Sequence, residues 1–99
     1  MTVTYKGGWK QSQKSGIGRQ NYVGVGDYYG YWENGERHGE GVMTYANQDI
    51  YSGNWVNGKK DGQGTYVFFK TGEKYVGKFK GGMMISGKWI YPNGTYFEG

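Results

Sequence analysis

The 99-residue chain has no cysteine, one histidine, one proline and no apolar run approaching the length of a membrane span. Without cysteine there is neither a disulfide framework nor a thiolate metal site. With His38 as the only histidine, zinc clusters and histidine-based triads lack members. The opening MTVTYKGGWKQ has no signal-peptide h-region, so an intracellular location is expected. What the chain does have is glycine, at 21 residues, and rings, at 19% of the sequence. Disordered chains are poor in rings, so the composition points to a folded, turn-rich β protein forming at most one small domain. The net charge of +4 lies entirely in the second half. There Lys59, Lys60, Lys70, Lys74, Lys78, Lys80 and Lys88 face only Asp61, Glu73 and Glu98.

The rings and glycines recur in register. A ring, a glycine and a second ring on alternate residues occur as Tyr5-Gly7-Trp9, Tyr28-Gly30-Trp32, Tyr51-Gly53-Trp55 and Tyr75-Gly77-Phe79. A fifth copy opens at Phe97-Glu98-Gly99, and the steps between copies are 23, 23, 24 and 22 residues. A second phrase follows each: Gly16-Gly18-Tyr22, Gly39-Gly41-Tyr45 and Gly62-Gly64-Phe68. In the fourth copy Gly87 and Tyr91 persist while Ile85 replaces the first glycine. Residues 1–99 thus read as one array, with repeats at 5–27, 28–50, 51–74 and 75–96 and a truncated fifth from 97. Alternation with period two places each phrase on a β-strand, its rings and glycines sharing one face. Asn34-Gly35 and Asn57-Gly58 favour the positive φ of type I′ turns, so each repeat is a β-hairpin.

Parity sets how the hairpins join. Tyr28 and Trp32 are even while Gly39, Gly41 and Tyr45 are odd, and an even-length turn brings both sets to one face. Between copies a three-residue loop is required, as Pro92-Asn93-Gly94 supplies, with glycine in the left-handed position. Gln48 stands at that glycine's place in the second linker, at a cost of about 1 kcal/mol. The third linker, Phe69-Lys70-Thr71-Gly72, is one residue longer. Gln11-Ser12, the first linker Val23-Gly24-Val25-Gly26, and the fourth turn Gly81-Gly82-Met83-Met84, one residue short, depart from the pattern. The expected fold is all-β: a single elongated, twisted antiparallel meander of tandem hairpins. Every ring except Tyr29, Tyr31, Phe69 and Tyr96 falls on the repeat face, with glycines across from the rings. Gly53 and Gly64 should lie beneath rings. One layer cannot bury both faces, so the sheet is expected to need a partner. Thr95-Tyr96-Phe97 forms an unblunted edge, so residue 99 is not expected to be a natural end: either more repeats follow or the edge pairs with another chain.

This pattern, from Tyr5 to Gly99, resembles the MORN repeat family, which implies the same meander of hairpins. Within it, GQGTYVFFKTGEKYVG, with its longer linker ending in Thr71-Gly72, is similar to the MORN segment of ciliary and flagellar radial spoke head proteins. That resemblance implies a structural subunit of an axonemal or other cytoskeletal assembly, packed against other protein subunits in the cytoplasm.

The chemistry of reactive side chains is sparse. His38 occupies the loop position of Ser15 and Asp61 and reads as a turn residue bonded to backbone. Glu33, Glu36 and Glu40 read as a solvated loop. The glycine pairs never extend to a dinucleotide fingerprint, and Asn93-Gly94-Thr95 is a turn. No enzyme, metal or cofactor is expected. Lys74, Lys78 and Lys88, all even-numbered, point away from the rings and with Lys80 form a candidate surface for anionic lipid or an acidic protein tail. Interleaved rings and lysines weakly suggest single-stranded nucleic acid, but the helices of an RNA-recognition fold are missing, and no nucleic-acid partner is expected. An accessory role beside an enzyme domain is a further alternative.

Overall fold

The computed structural model describes residues 4–99, which form a single open antiparallel sheet of nine strands in chain order, with no helix. The strands are β1 (Thr4–Lys10), β2 (Gln13–Tyr22), β3 (Gly26–Glu33), β4 (Glu36–Tyr45), β5 (Ile50–Val56), β6 (Lys59–Val67), β7 (Lys74–Lys80), β8 (Met83–Ile90) and β9 (Tyr96–Glu98). Neighbours in sequence are neighbours in space throughout, so the expected meander is the fold adopted. The sheet measures 47 × 26 × 16 Å.

The turns follow the backbone rather than the residue type. Asn34 and Gly35 have φ of 51° and 82°, Asn57 and Gly58 of 50° and 81°, as a type I′ turn requires. Gln11 and Ser12 adopt the same left-handed pair at 51° and 66° without a glycine, so the first hairpin keeps the geometry its sequence lacks. Between hairpins, Gln48 is left-handed at 75° and Gly94 at 92°, closing three-residue loops through Tyr45 N–H to Asp49 O and Tyr91 N–H to Thr95 O, both 2.8 Å. The longer third linker closes through Phe68 N–H to Glu73 O. In the first linker the left-handed residue moves to the middle of the loop, at Gly24.

Three expectations need correction. The fourth turn is not short: Gly81-Gly82 is a two-residue turn like the others. The missing residue comes out of a bulge. In β5–β6, Gly53 pairs with Gly64 and Trp55 with Lys60, so β6 advances four residues while β5 advances two. The β1–β2 and β3–β4 hairpins do the same. Two extra residues preserve parity, and the bulge uses a left-handed glycine at Gly16, Gly39 or Gly62. In β7–β8, Lys78 pairs with Ser86 and Phe79 with Met84, leaving one extra residue, Ile85. That bulge does not require a left-handed φ there, which is why isoleucine is tolerated.

The second correction concerns the glycines. Gly16, Gly39 and Gly62 do pair with Trp32, Trp55 and Phe79, but the other glycines of the repeat lie across from one another. Gly7, Gly18, Gly30, Gly41, Gly53, Gly64, Gly77 and Gly87 pair in succession across eight strands. Gly87 then exchanges two 3.1 Å backbone hydrogen bonds with Gly99. Each repeat's first tyrosine leans along its own strand over this bare stripe. A Cβ on Gly64 would sit 2.3 Å from the Tyr51 hydroxyl, and one on Gly41 2.0 Å from that of Tyr28. Gly53 and Gly64 do lie beneath a ring.

The third concerns the second layer, which the repeat face does not need to bury its rings, while the outer face stays uncovered. Tyr28 and Tyr51 are 0% exposed within this one sheet. The sheet's twist and the bulged hairpins wrap the ring row, so a single layer builds its own core: Tyr28, Trp32, Met43, Tyr51, Trp55, Tyr75 and Phe79.

Candidate functional site

The core face is an edge-to-face ladder of rings. Tyr5 meets Trp9 and Trp32, Tyr28 meets Trp32 and Trp55, Tyr51 meets Trp55 and Phe79, and Tyr75 meets Phe79. Centroids lie 4.9–5.4 Å apart with planes at 81–89°, the arrangement ring quadrupoles favour. Tyr5, Tyr28 and Tyr51 thus each bridge their own repeat's second ring and that of the next. Hydroxyls and indoles are satisfied by the same spacing. Tyr5, Tyr28 and Tyr51 donate to the carbonyls of Gly8, Tyr31 and Asn54, three residues on, at 2.8–2.9 Å. Trp32 Nε1 and Trp55 Nε1 donate back to Gly18 and Gly41 of the preceding repeat at 3.0 and 3.1 Å. Burial pushes the Tyr51 phenol up to about 12 and raises those of Tyr28 and Tyr66 further.

A row of cations caps the ladder. Lys14, Arg37 and Lys60 stand opposite Trp9, Trp32 and Trp55 in their hairpins. Lys14 Nζ lies 5.0 Å from the Trp32 ring centroid. The Arg37 guanidinium lies 4.8 Å from Trp55, and Lys60 Nζ lies 5.6–5.7 Å from Tyr45, Tyr51 and Tyr66. Their backbone carbonyls accept from the next turn's glycine: Gly35 N–H to Lys14 O, Gly58 N–H to Arg37 O, Gly82 N–H to Lys60 O, at 2.9–3.0 Å. Composition and charge sums did not reveal this row, although its spacing of 23 residues was legible. The fourth repeat places Met84 opposite Phe79, and the row ends there.

The second linker holds a buried carboxylate that sequence reasoning also missed. Asp49 accepts from Tyr66 OH at 2.9 Å, Phe69 N–H at 2.9 Å and Asn47 Nδ2 at 3.2 Å. Burial acts to raise its pKa, but these hydrogen bonds outweigh it and hold the group below its usual value. It ties the second linker to the third, so its role is structural. His38 bonds not to backbone but to Glu33 across the hairpin, Nε2 to Oε2 at 3.1 Å. Glu36 pairs with Glu33 at the hairpin end, and Glu40 is exposed. Asn93 Oδ1 accepts from Thr95 N–H and Oγ1, fixing the turn.

The outer face carries what the core does not use. Tyr29, Tyr31, Ile17 and Val42 are exposed and, with Glu40 and Gln63, line a shallow groove of about 440 Å³. Lys74, Lys78, Lys80 and Lys88 are all exposed on β7 and β8. Cross-strand pairing sets Lys78 beside Ser86 and Lys88 beside Val76 and Glu98. Lys88 Nζ also lies 4.7 Å over the Tyr96 ring. Trp9, Tyr91 and Phe97, on the repeat face but at the ends of the array or in its last linker, stay exposed.

Residues 5–23, 28–50, 51–70 and 75–96 each match the family model described as MORN repeat. No curated protein matches the chain.

Proposed function

The chain belongs to the MORN repeat family, whose repeats generally serve interaction with proteins or membranes, and on that premise we propose that it is a non-enzymatic scaffold module that docks other protein subunits. The observation that carries this reading is the division of labour between the faces. The repeat rings are consumed by an internal ladder, while Tyr29, Tyr31, Ile17 and Val42 remain exposed around one groove on the outer face. A contiguous exposed apolar patch of this kind marks an interaction site. The assembly we assign it to is cytoskeletal, in a ciliary or flagellar axoneme such as the radial spoke head. The four-residue linker Phe69–Gly72, closed through Gly72 N–H to Phe68 O, supports that choice by its resemblance in sequence to spoke-head repeats. The outer edge of β9, unpaired among the described residues, offers a further contact for a strand, of a following repeat or of another chain. Affinity purification from cells with Tyr29→Ser/Tyr31→Ser as control tests the reading. Co-purifying axonemal or cytoskeletal proteins lost in the double variant support it, and their absence from the wild-type eluate defeats it.

A second reading, recruitment to anionic membrane, is favoured by the four exposed lysines of β7 and β8, none of which forms an ion pair among the described residues. Salt-sensitive co-sedimentation with phosphoinositide vesicles, abolished by Lys74→Glu/Lys78→Glu/Lys88→Glu, would establish it in place of the first.

A further inference from the structure

Lys14, Arg37 and Lys60 are half-buried cations over aromatic rings, and none has a carboxylate within ion-pair distance. The Arg19–Asp27 ion pair and the His38–Glu33 contact among the described residues both lie elsewhere. The polar contacts of the row are neutral: Lys14 with the Gln20 side-chain oxygen, Arg37 Nη2 with Gly58 O at 2.6 Å, and Lys60 Nζ with Tyr45 OH at 3.3 Å. Ring faces hold the cations in place without neutralising them. Beside Arg37 and Lys60 runs a groove of about 290 Å³ whose walls include Val25, Met43, Tyr45 and Trp55. Positive charge and apolar surface therefore lie together on the core side, apart from the lysines of β7 and β8.

The spacing of the row selects its ligand. The three residues lie on β2, β4 and β6, two strands apart each time. Strands pack about 4.8 Å apart, so the charges recur roughly every 9.5 Å along a line crossing the strands. An α-helix rises about 1.5 Å per residue, and seven residues return it to nearly the same face after about 10.5 Å. We propose that the Lys14–Arg37–Lys60 row is a docking surface for an acidic α-helix of a partner protein that presents a carboxylate at every seventh position, over three positions. The proposal rests on the scaffold reading and specifies one partner chemistry within it. The helix lies across the strands, its carboxylates meeting the outward N–H groups of the three cations and its flanking apolar side chains entering the Tyr45–Trp55 groove.

The test uses the whole chain and its own indoles. Trp32 and Trp55 lie directly beneath Lys14 and Arg37, so their emission and their indole N–H resonances report occupancy. Two synthetic helical peptides of identical composition are titrated, one with glutamates at i, i+7 and i+14, the other at i, i+5 and i+10. The heptad peptide should bind at least about tenfold more tightly, weaken with salt as screened charge contacts do, and shift the Trp32 and Trp55 indole signals. Lys14→Gln/Arg37→Gln/Lys60→Gln should abolish binding, while Lys74→Gln/Lys78→Gln/Lys80→Gln/Lys88→Gln should leave it unchanged. If the triple variant does not fold, Lys14→Gln and Lys60→Gln alone should each weaken binding several-fold. Equal affinity for the two peptides, no binding, or indole signals unmoved while resonances of β7 and β8 shift would each overturn the proposal. Binding to phosphatidylserine vesicles lost in Lys14→Gln/Lys60→Gln, without peptide binding, would reassign the row to a membrane. None of these failures bears on whether cytoskeletal proteins co-purify with the chain, which tests the scaffold reading itself.

Discussion

At the scale of residues, close approach explains the glycines of the central stripe, and positive φ explains those of the turns and bulges. A Cβ at Gly53 would lie 2.4 Å from Gly64 Cα and 2.5 Å from Gln63 O, backbone atoms that cannot rotate aside. At Gly64 the obstacle is the Tyr51 ring. Gly53→Val and Gly64→Val should each destabilise by about 1–3 kcal/mol or more, although valine favours strands; unchanged urea midpoints in both would contradict ring-over-glycine packing. The tyrosines add a pH dependence. Burial raises the folded-state pKa of Tyr28, Tyr51 and Tyr66, and for Tyr66 the hydrogen bond to Asp49 and that group's charge add to it. Below the unfolded value of 10.0 all three are protonated in both states, and their contribution is fully present. Above it the unfolded chain ionises first and binds fewer protons, so stability falls as pH rises from 10.0 toward about 12 for Tyr51. Thermal midpoints should be level up to about pH 9 and drop beyond pH 10, with tyrosinate absorbance appearing together with unfolding. The ring and glycine positions were legible because they recur at fixed spacing. The Asp49 cluster was not, because its donors Asn47, Tyr66 and Phe69 come from the second linker, β6 and the third linker and form no local pattern.

At the scale of elements, the backbone imposes one turn geometry on unlike residues, and the mismatches are strained. Ser12 at φ 66° and Gln48 at φ 75° occupy positions that cost a residue with a Cβ about 1 kcal/mol. Ser12→Gly and Gln48→Gly should therefore each raise stability by up to about 1 kcal/mol, offset in part by the greater freedom of glycine in the unfolded chain. Chemical denaturation of the two variants and their combination checks this, and additivity is expected because the sites lie in different loops. Ala46→Gly, two residues before Gln48 in the same loop but with no positive φ, serves as the control and should lose stability. Loop lengths were readable from parity alone, as Pro92-Asn93-Gly94 and Phe69–Gly72 illustrate. The bulges escaped because a two-residue bulge conserves parity: Tyr51–Tyr66 and Trp55–Lys60 both pair odd with even on either side of it. Only the fourth hairpin, where one residue is missing, carried a trace of the bulge, and length alone cannot assign that deletion to the strand rather than the turn.

At the scale of the whole molecule, the ladder turns four hairpins into one cooperative unit. Each hairpin contacts only its neighbours, so stability is close to a sum of hairpin terms and interface terms along one dimension. The interface terms are identifiable side chains. Trp55 is 3% exposed, stacks edge-on against Tyr28 of the second repeat and Tyr51 of its own, donates to Gly41 O and lies under Arg37. Trp9 makes the same contact with Tyr5 but is 60% exposed and has no ring on its other side among the described residues. The same residue type at the same repeat position should thus carry very different weight. Trp55→Ala removes a buried ring and the main side-chain link between the first two hairpins and the last two, at a cost of about 3–5 kcal/mol. Trp9→Ala removes one edge contact on an exposed ring, at about 1 kcal/mol. The difference should appear in cooperativity as well as in midpoint. The wild type and Trp9→Ala should unfold in one transition, with amides of β1–β4 and β5–β8 exchanging at a common limiting free energy. In Trp55→Ala the transition should broaden and the two halves should separate in hydrogen exchange. Similar losses for both variants, or an undivided exchange pattern in Trp55→Ala, would mean that the backbone ladder through the glycine stripe, and not the rings, couples the repeats.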